Sequence, residues 1–203
     1  MVTPLTFVGD DVALVQALRA GHPGAAAAFY DQHASHVYRA LRSTIGLDDD
    51  LPDLLQDVFV RAIDHIDELQ DLSRVRSWLT SVAIFTARAH IRRRSRRKWL
   101  SAFLPDHTRS GLQEPPSSDA RSALREIYRI LDTLPANERI AFVLRIIEGL
   151  TLPEGAEACG ISLATFKRRL TRAEAKFLAV ARSLPELVTW LEKGTRWSLG
   201  NQG

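Results

Sequence analysis

The 203-residue chain has one cysteine, Cys159, one methionine, and no acidic residue between Leu72 and Leu100. A single cysteine excludes an intrachain disulfide framework and fits a reducing compartment. Long hydrophobic runs are also missing. Ile140-Ala-Phe-Val-Leu144 stops at Arg145, far short of what a bilayer span requires. Met1 leads into Val-Thr-Pro-Leu-Thr with no basic segment and no apolar stretch, which predicts no signal peptide. Together these absences predict a soluble, cytoplasmic protein with no membrane insertion. Glycine-rich phosphate loops and the Cys/His spacings of metal sites are absent too. No enzyme activity, cofactor, metal or small-molecule substrate is therefore expected. His33 and His36 stand three apart on a predicted helix but lack a third nearby ligand. Cys159 reads as a buried structural thiol.

The charge that is present is unevenly placed. Residues 1–71 hold 12 acids and 4 Lys/Arg, whereas residues 72–100 hold 9 Lys/Arg and no acid. An acidic lobe followed by a basic one predicts two different partners, the second of them nucleic acid. Arg88, Arg92, Arg93, Arg94, Arg96, Arg97 and Lys98 fall within eleven residues. So dense a run repels itself on a helix, and phosphate would offset that repulsion. Trp78 and Trp99 flank this segment, and aromatics beside cations can stack on unpaired bases, although core packing is the simpler role for Trp78.

Helical periodicity dominates and strand alternation is nearly absent, so the fold class is all-α. Val12, Val15 and Leu18 mark a first helix, which Gly21-His-Pro-Gly24 separates from a second. Phe29, His33, Val37, Leu41 and Ile45 run along that second helix, which ends near Gly46. Leu51, Leu54, Leu55, Val58, Phe59, Ala62, Ile63 and Ile66 form one face of a third, with Asp53, Gln56, Asp57 and Arg61 opposite. Val75, Trp78, Leu79 and Val82 begin a fourth that continues into the arginine run. Around residues 101–119 the pattern gives way to Pro, Gly and Ser, which reads as a flexible linker. Leu124, Ile127, Ile130 and Leu131 resume the helical pattern. Pro135 separates them from Ile140, Val143, Leu144 and Ile147, and Gly149 ends that helix. The architecture expected is two small helical domains joined by a flexible linker.

Thr151-Leu-Pro-Glu154 has the form of a capping box. The short helix it starts ends at Cys159-Gly160, and Ser162 can cap the next. Phe166, Leu170, Ala173 and Phe177 form the inward stripe of that next helix. Thr165, Lys167, Arg168, Arg169 and Arg172 are left outside, with Ser162 and Leu163 at its start. Helix, glycine turn and basic helix make a helix-turn-helix, whose second helix suits the major groove.

These residues resemble a known family. Asp53-Leu-Leu-Gln-Asp-Val-Phe-Val-Arg-Ala62, Val75-Arg-Ser-Trp-Leu79, Ile91-Arg-Arg-Arg94, Leu134-Pro-Ala-Asn-Glu-Arg139 and Gly160-Ile-Ser-Leu-Ala-Thr-Phe-Lys-Arg-Arg-Leu170 are similar, in order, to signatures of the extracytoplasmic-function (ECF) sigma factors of bacterial RNA polymerase. The resemblance implies region 2 over 10–100, a linker over 101–119, region 4 over 120–182 and a C-terminal extension over 183–203. It implies that Asp53, Leu54, Gln56, Asp57, Phe59, Val60 and Arg61 bind core polymerase. The segment His65 to Arg76 and the following helix would read and melt the −10 element, with Arg76, Trp78, Arg88, Arg92, Arg93, Arg94, Arg96 and Arg97 as DNA contacts. Ser162, Leu163, Thr165, Lys167, Arg168, Arg169 and Arg172 would read the −35 element. An anti-sigma factor is a further implied partner. A free-standing helix-turn-helix regulator and a sigma-fold adaptor binding only proteins are the alternatives. Phe85 and Ala89 depart from the family pattern, which often has Asn and Asp there. Gly155, Ala158 and Cys159 stand where larger aliphatics are usual. Trp190 and Trp197 in the tail suggest a cap on region 4 or a regulator contact.

Overall fold

The computed structural model describes residues 10–101 and 119–184, with side chains over 10–97 and 125–184. Eight α-helices and three short helical turns make up the described residues, and no strand occurs among them. Residues 102–118 of the expected linker and 185–203 of the expected tail, with Trp190 and Trp197, lie outside the described residues, while Ser101 and Asp119 at the linker's expected ends are helical.

The first unit comprises α1 (Asp11–Arg19), α2 (Ala25–Ile45), α3 (Leu51–Asp64) and α4 (Val75–Ser101). Asp10 caps α1 by accepting from Ala13 N at 2.9 Å. Gly24 and Gly46 bound α2 with φ of 86° and 83°, a region open chiefly to glycine. Pro52 sits in the first turn of α3, where a missing N–H costs nothing. The apolar faces of the four helices meet around Leu14, Phe29, Leu41, Val58, Leu79 and Ala83, all buried. Two 3₁₀ turns, Ile66–Glu68 and Leu72–Arg74, connect α3 to α4. Buried Ile66 and Leu69 anchor this connection, and Arg19 donates to both of their carbonyl oxygens.

The second unit comprises α5 (Asp119–Thr133), α6 (Ala136–Phe142), α7 (Leu152–Ala158) and α8 (Leu163–Ala181). Instead of running straight to Gly149, α6 widens into a π turn over Val143–Ile147. Glu148 N reaches back to Val143 O at 2.9 Å, and Leu150 N reaches Leu144 O at 2.9 Å. Gly149 then reverses the chain at φ 74°. Phe142, Leu131, Ala173 and Phe177 form the buried centre of this unit.

The units also pack against each other. Ile84 of α4 is 1% exposed and shares a cluster with Ile140, Leu144, Ala156 and Phe166 of the second unit. Burying a side chain of this size contributes about 1.5–3 kcal/mol. Arg139, 2% exposed, donates from Nε to Thr44 O at 2.6 Å and ion-pairs with Asp132. Burial pulls the Arg139 pKa down from its ordinary value, and Asp132 opposes that shift. Tyr128 Oη donates to Arg42 O at 3.2 Å, and its ring lies against Gly46, where a Cβ would come within 3.0 Å.

Candidate nucleic-acid interface

The helix-turn-helix is built from local sequence. Thr151 N donates to Glu154 Oε2 at 2.8 Å, and Glu154 N returns a bond to Thr151 Oγ1 at 3.4 Å. At the turn, Gly160 adopts φ 62°, and Ile161 N bonds back to Ala156 O at 3.1 Å. Ser162 Oγ accepts from Thr165 N at 3.3 Å and starts α8. Phe166, Leu170, Ala173 and Phe177 face inward and are buried. Ser162, Leu163, Lys167, Arg168 and Arg172 are exposed, and Thr165 and Arg169 are half-buried. The first turns of α8 thus present a cationic face to solvent.

Helix α7 depends on a residue that looks like a weakness in sequence. A Cβ at Gly155 would stand 2.4 Å from Phe166 Cζ. The glycine admits the Phe166 ring, which is 0% exposed and fills the volume that a larger α7 side chain would take. Cys159, at the end of α7, is buried. Burial pushes its thiol pKa up, against the nearby Arg88 and Arg169.

On α3, Asp53, Gln56, Asp57, Val60 and Arg61 lie on the outer face, with Val60 59% exposed. Leu54 and Phe59 do not share that face. They are 3% and 4% exposed, because the helical period turns both into the core, where Phe59 meets Phe29 edge-on at 5.9 Å. The solvent-exposed face of α3 therefore consists of the other five.

Helix α4 divides its cations. Arg76, Arg92, Arg93, Arg96 and Arg97 are exposed. Arg94 pairs with Asp48 at 2.7 Å and with Asp132 of the second unit at 3.6 Å. Half-buried Arg88 donates to Cys159 O at 3.3 Å. Trp78 is half-buried and packs against the first core. The protein itself supplies acids to part of the arginine run, which the local sequence does not reveal because Asp48 and Asp132 lie far from it in the chain. Arg61 of α3 stands 5.9 Å from the centroid of the exposed Phe85 ring.

A cleft of about 1140 Å³ separates the 66–76 connection from the second unit. Arg39, Arg74 and Arg76 line one wall, and Glu148, Glu154 and Glu157 line the other. Arg74 spans it to Glu157 at 2.5 Å. In its floor, His36 Nε2 lies 2.9 Å from Thr80 Oγ1 and 3.1 Å from Arg76 O. Burial lowers the His36 pKa, while the contact with the Arg76 carbonyl opposes that. His33 does not join His36 in a ligand pair. Its Nε2 lies 3.4 Å from Asp11 Oδ1.

Asp48, Asp50 and His90 bring potential ligand atoms within 4.8 Å of one another. Asp48 Oδ2 is already engaged by Arg94 and by His90 Nε2 at 3.1 Å. Burial acts to raise the Asp48 pKa, but the Asp50 amide, His90 and Arg94 together outweigh it and lower it. Asp48 Oδ2 thus serves as a shared acceptor for His90 and Arg94.

Comparison with known proteins agrees with this geometry. The sigma-70 region 2 family model matches residues 29–97, and the sigma-70 region 4 model matches residues 124–177. The ECF RNA polymerase sigma factor SigC of Mycobacterium tuberculosis is 30% identical over 181 residues, covering 87% of this chain and 95% of SigC. The ECF RNA polymerase sigma factor EcfG of Rhodopseudomonas palustris is 30% identical over 138 residues, covering 68% and 75%. Among solved structures, CnrH in complex with the cytosolic domain of CnrY aligns with a TM-score of 0.57 at 25% identity, over 86% of this chain and 98% of that one.

Proposed function

The chain belongs to the ECF sigma factors of the sigma-70 family, bacterial RNA polymerase sigma factors that direct promoter-specific initiation, and from that premise we propose how its surfaces divide the work. The outer face of α3, formed by Asp53, Gln56, Asp57, Val60 and Arg61, docks on core polymerase. The connection over 65–76 and the exposed arginines of α4 engage and open the −10 element. The first turns of α8, through Leu163, Thr165, Lys167, Arg168, Arg169 and Arg172, read the −35 element in the major groove. Residues 10–100 and 120–182 act as the two functional regions, joined through 101–119. The chain carries no catalytic step of its own and works where the polymerase works, in the cytoplasm. An anti-sigma factor is its regulatory partner, and the CnrH structure, which holds the cytosolic domain of CnrY, supports a protein partner bound in this way.

The single observation that carries this reading is the separation of surfaces. An acidic outer face on α3 and two cationic faces, on α4 and α8, stand on different helices of one chain. A free-standing regulator would have no use for the α3 face.

The test is co-migration with core polymerase in gel filtration. The wild type co-migrates and the Asp53→Ala/Gln56→Ala double variant does not, while both bind a −35 duplex equally. Unchanged co-migration of the double variant would remove α3 as the docking helix. In a promoter-opening assay, Arg168→Ala/Arg169→Ala should lose −35-dependent opening and keep core binding.

A further inference from the structure

Thr171 stands in the middle of the cationic face of α8. Its neighbours there are Lys167 and Arg168, one turn back, and Arg172 beside it, and all four residues are exposed. The opposite side of the helix holds the buried Phe166, Leu170, Ala173 and Phe177, which sets Thr171 facing outward. Its hydroxyl is already spent. Thr171 Oγ1 donates to Lys167 O at 3.1 Å, one of the two arrangements that a helical threonine favours. With the oxygen turned back to the backbone, the methyl group is what the side chain offers to a ligand. Ala175, one turn further on, is exposed and carries only a methyl group, so nothing beyond Thr171 props the helix away from a groove floor.

Lysine and arginine reach past a threonine to phosphates and to the polar atoms of base edges. Thr171 therefore meets the groove with a short apolar group set between long cationic ones. In the major groove only thymine carries an apolar group on its edge, the C5 methyl. Adenine, guanine and cytosine present donors and acceptors there. A methyl group cannot satisfy them and would strip them of water at a cost. Thr171 lies ~5 Å along the helix axis from Arg168, between one and two base-pair steps. The thymine therefore neighbours the nucleotide that Arg168 contacts, through base or phosphate.

Resting on the assignment of α8 to the −35 element, we infer that Thr171 is a specificity-determining residue whose methyl group packs against the C5 methyl of one thymine. The hydroxyl takes no part in the reading. Its bond to Lys167 O fixes the rotamer, so the methyl is presented in one orientation and the contact needs no ordering of a long side chain. The −35 sequence that this chain prefers thus holds a thymine at the position that Thr171 meets, and the complex tells thymine from uracil there.

The test uses the full chain in complex with core polymerase. A tight-binding duplex is selected from a pool randomised over the −35 region, labelled with fluorescein and followed by anisotropy. Each thymine is then replaced in turn by deoxyuridine, which removes the methyl group and nothing else. In the wild type, one replacement weakens binding by about 3- to 5-fold, the factor for burying one methyl-sized group. Thr171→Val keeps the methyl and the branching at Cβ but lacks the hydroxyl, and it retains that penalty. Thr171→Ser keeps the hydroxyl but lacks the methyl, and it binds the thymine and deoxyuridine duplexes equally. The penalty is apolar, so it stays constant as salt rises while overall affinity falls. Thr171 is exposed, so both variants should keep core binding and the wild-type melting temperature. A penalty that persists in Thr171→Ser, or that Thr171→Val loses, overturns the inference and leaves the −35 reading of α8 intact. A selected duplex with no methyl-sensitive thymine overturns it in the same way. A pool that yields no preferred sequence overturns both.

Discussion

Gly155 and Phe166 occupy one another's space: a Cβ on the glycine would lie 2.4 Å from the tip of the phenylalanine ring. The pair joins the two helices of the helix-turn-helix, and each residue makes sense only with the other. Gly155→Ala should gain up to ~1 kcal/mol in helix propensity and lose more to overpacking, for which ~1–3 kcal/mol is usual. The expected outcome is a lower melting temperature, followed by circular dichroism. Adding Phe166→Leu to Gly155→Ala should recover part of it, because the shorter side chain vacates the clash.

Asp132 balances an arginine that is almost wholly buried. Removing one partner of a buried pair costs ~3–5 kcal/mol, and the Asp132 side chain is 33% exposed, which moderates the loss. Asp132→Ala should therefore destabilise the fold by up to about 3 kcal/mol in urea unfolding. It should also speed amide exchange around Thr44, whose carbonyl accepts from the same arginine.

Stability should fall as pH drops below 6.5. Burial lowers the pKa of both His33 and His36 from 6.5. The unfolded chain therefore binds more protons than the folded one between the folded-state pKa values and 6.5. Their contribution is complete above 6.5 and is lost as pH falls through the folded-state values. Each histidine adds a slope below the ~1.4 kcal/mol per pH unit that uptake of one full proton would give. His33→Leu should flatten the pH profile of the unfolding midpoint in this window. A slope of unchanged steepness would show that His33 does not titrate on unfolding.

Arg168 and Arg169 should contribute electrostatically to duplex binding. If both contact phosphate, Arg168→Ala/Arg169→Ala reduces the slope of log K against log salt by about 2, near 0.9 for each cation removed. If either contacts a base edge, selectivity for the −35 sequence falls by ~1–3 kcal/mol at that position instead. Anisotropy titrations on specific and scrambled duplexes at several salt concentrations distinguish these outcomes.

Local signals in the sequence carried the elements well. The capping box at Thr151 and Glu154, the Ser162 cap and the glycine turns at Gly46 and Gly160 all form as their chemistry demands. The apolar stripe of α3 was equally clear, yet it also showed that Leu54 and Phe59 belong inside, where a family signature alone had placed them on a docking face. What periodicity could not reveal was contact across the chain. Ile84 reads as an ordinary α4 residue, and its burial depends on Ile140 and Phe166. Arg88 and Arg94 read as part of a uniform cationic run, and only tertiary packing brings Cys159 O, Asp48 and Asp132 to them. The π turn after α6 left no signal beyond Gly149.

The contact between the two units also has a consequence for how the sequence can drift. Three of its hydrogen bonds, from Arg139, Tyr128 and Arg88, end on the main-chain carbonyls of Thr44, Arg42 and Cys159. Every amino acid supplies that acceptor. Replacement of the side chain at any of these three accepting positions leaves the acceptor in place, whereas the donors have no such freedom. These three bonds therefore constrain their donors rather than their acceptors, whereas the Ile84 cluster and the Arg94–Asp132 and Arg74–Glu157 pairs hold the join through the side chains of both partners.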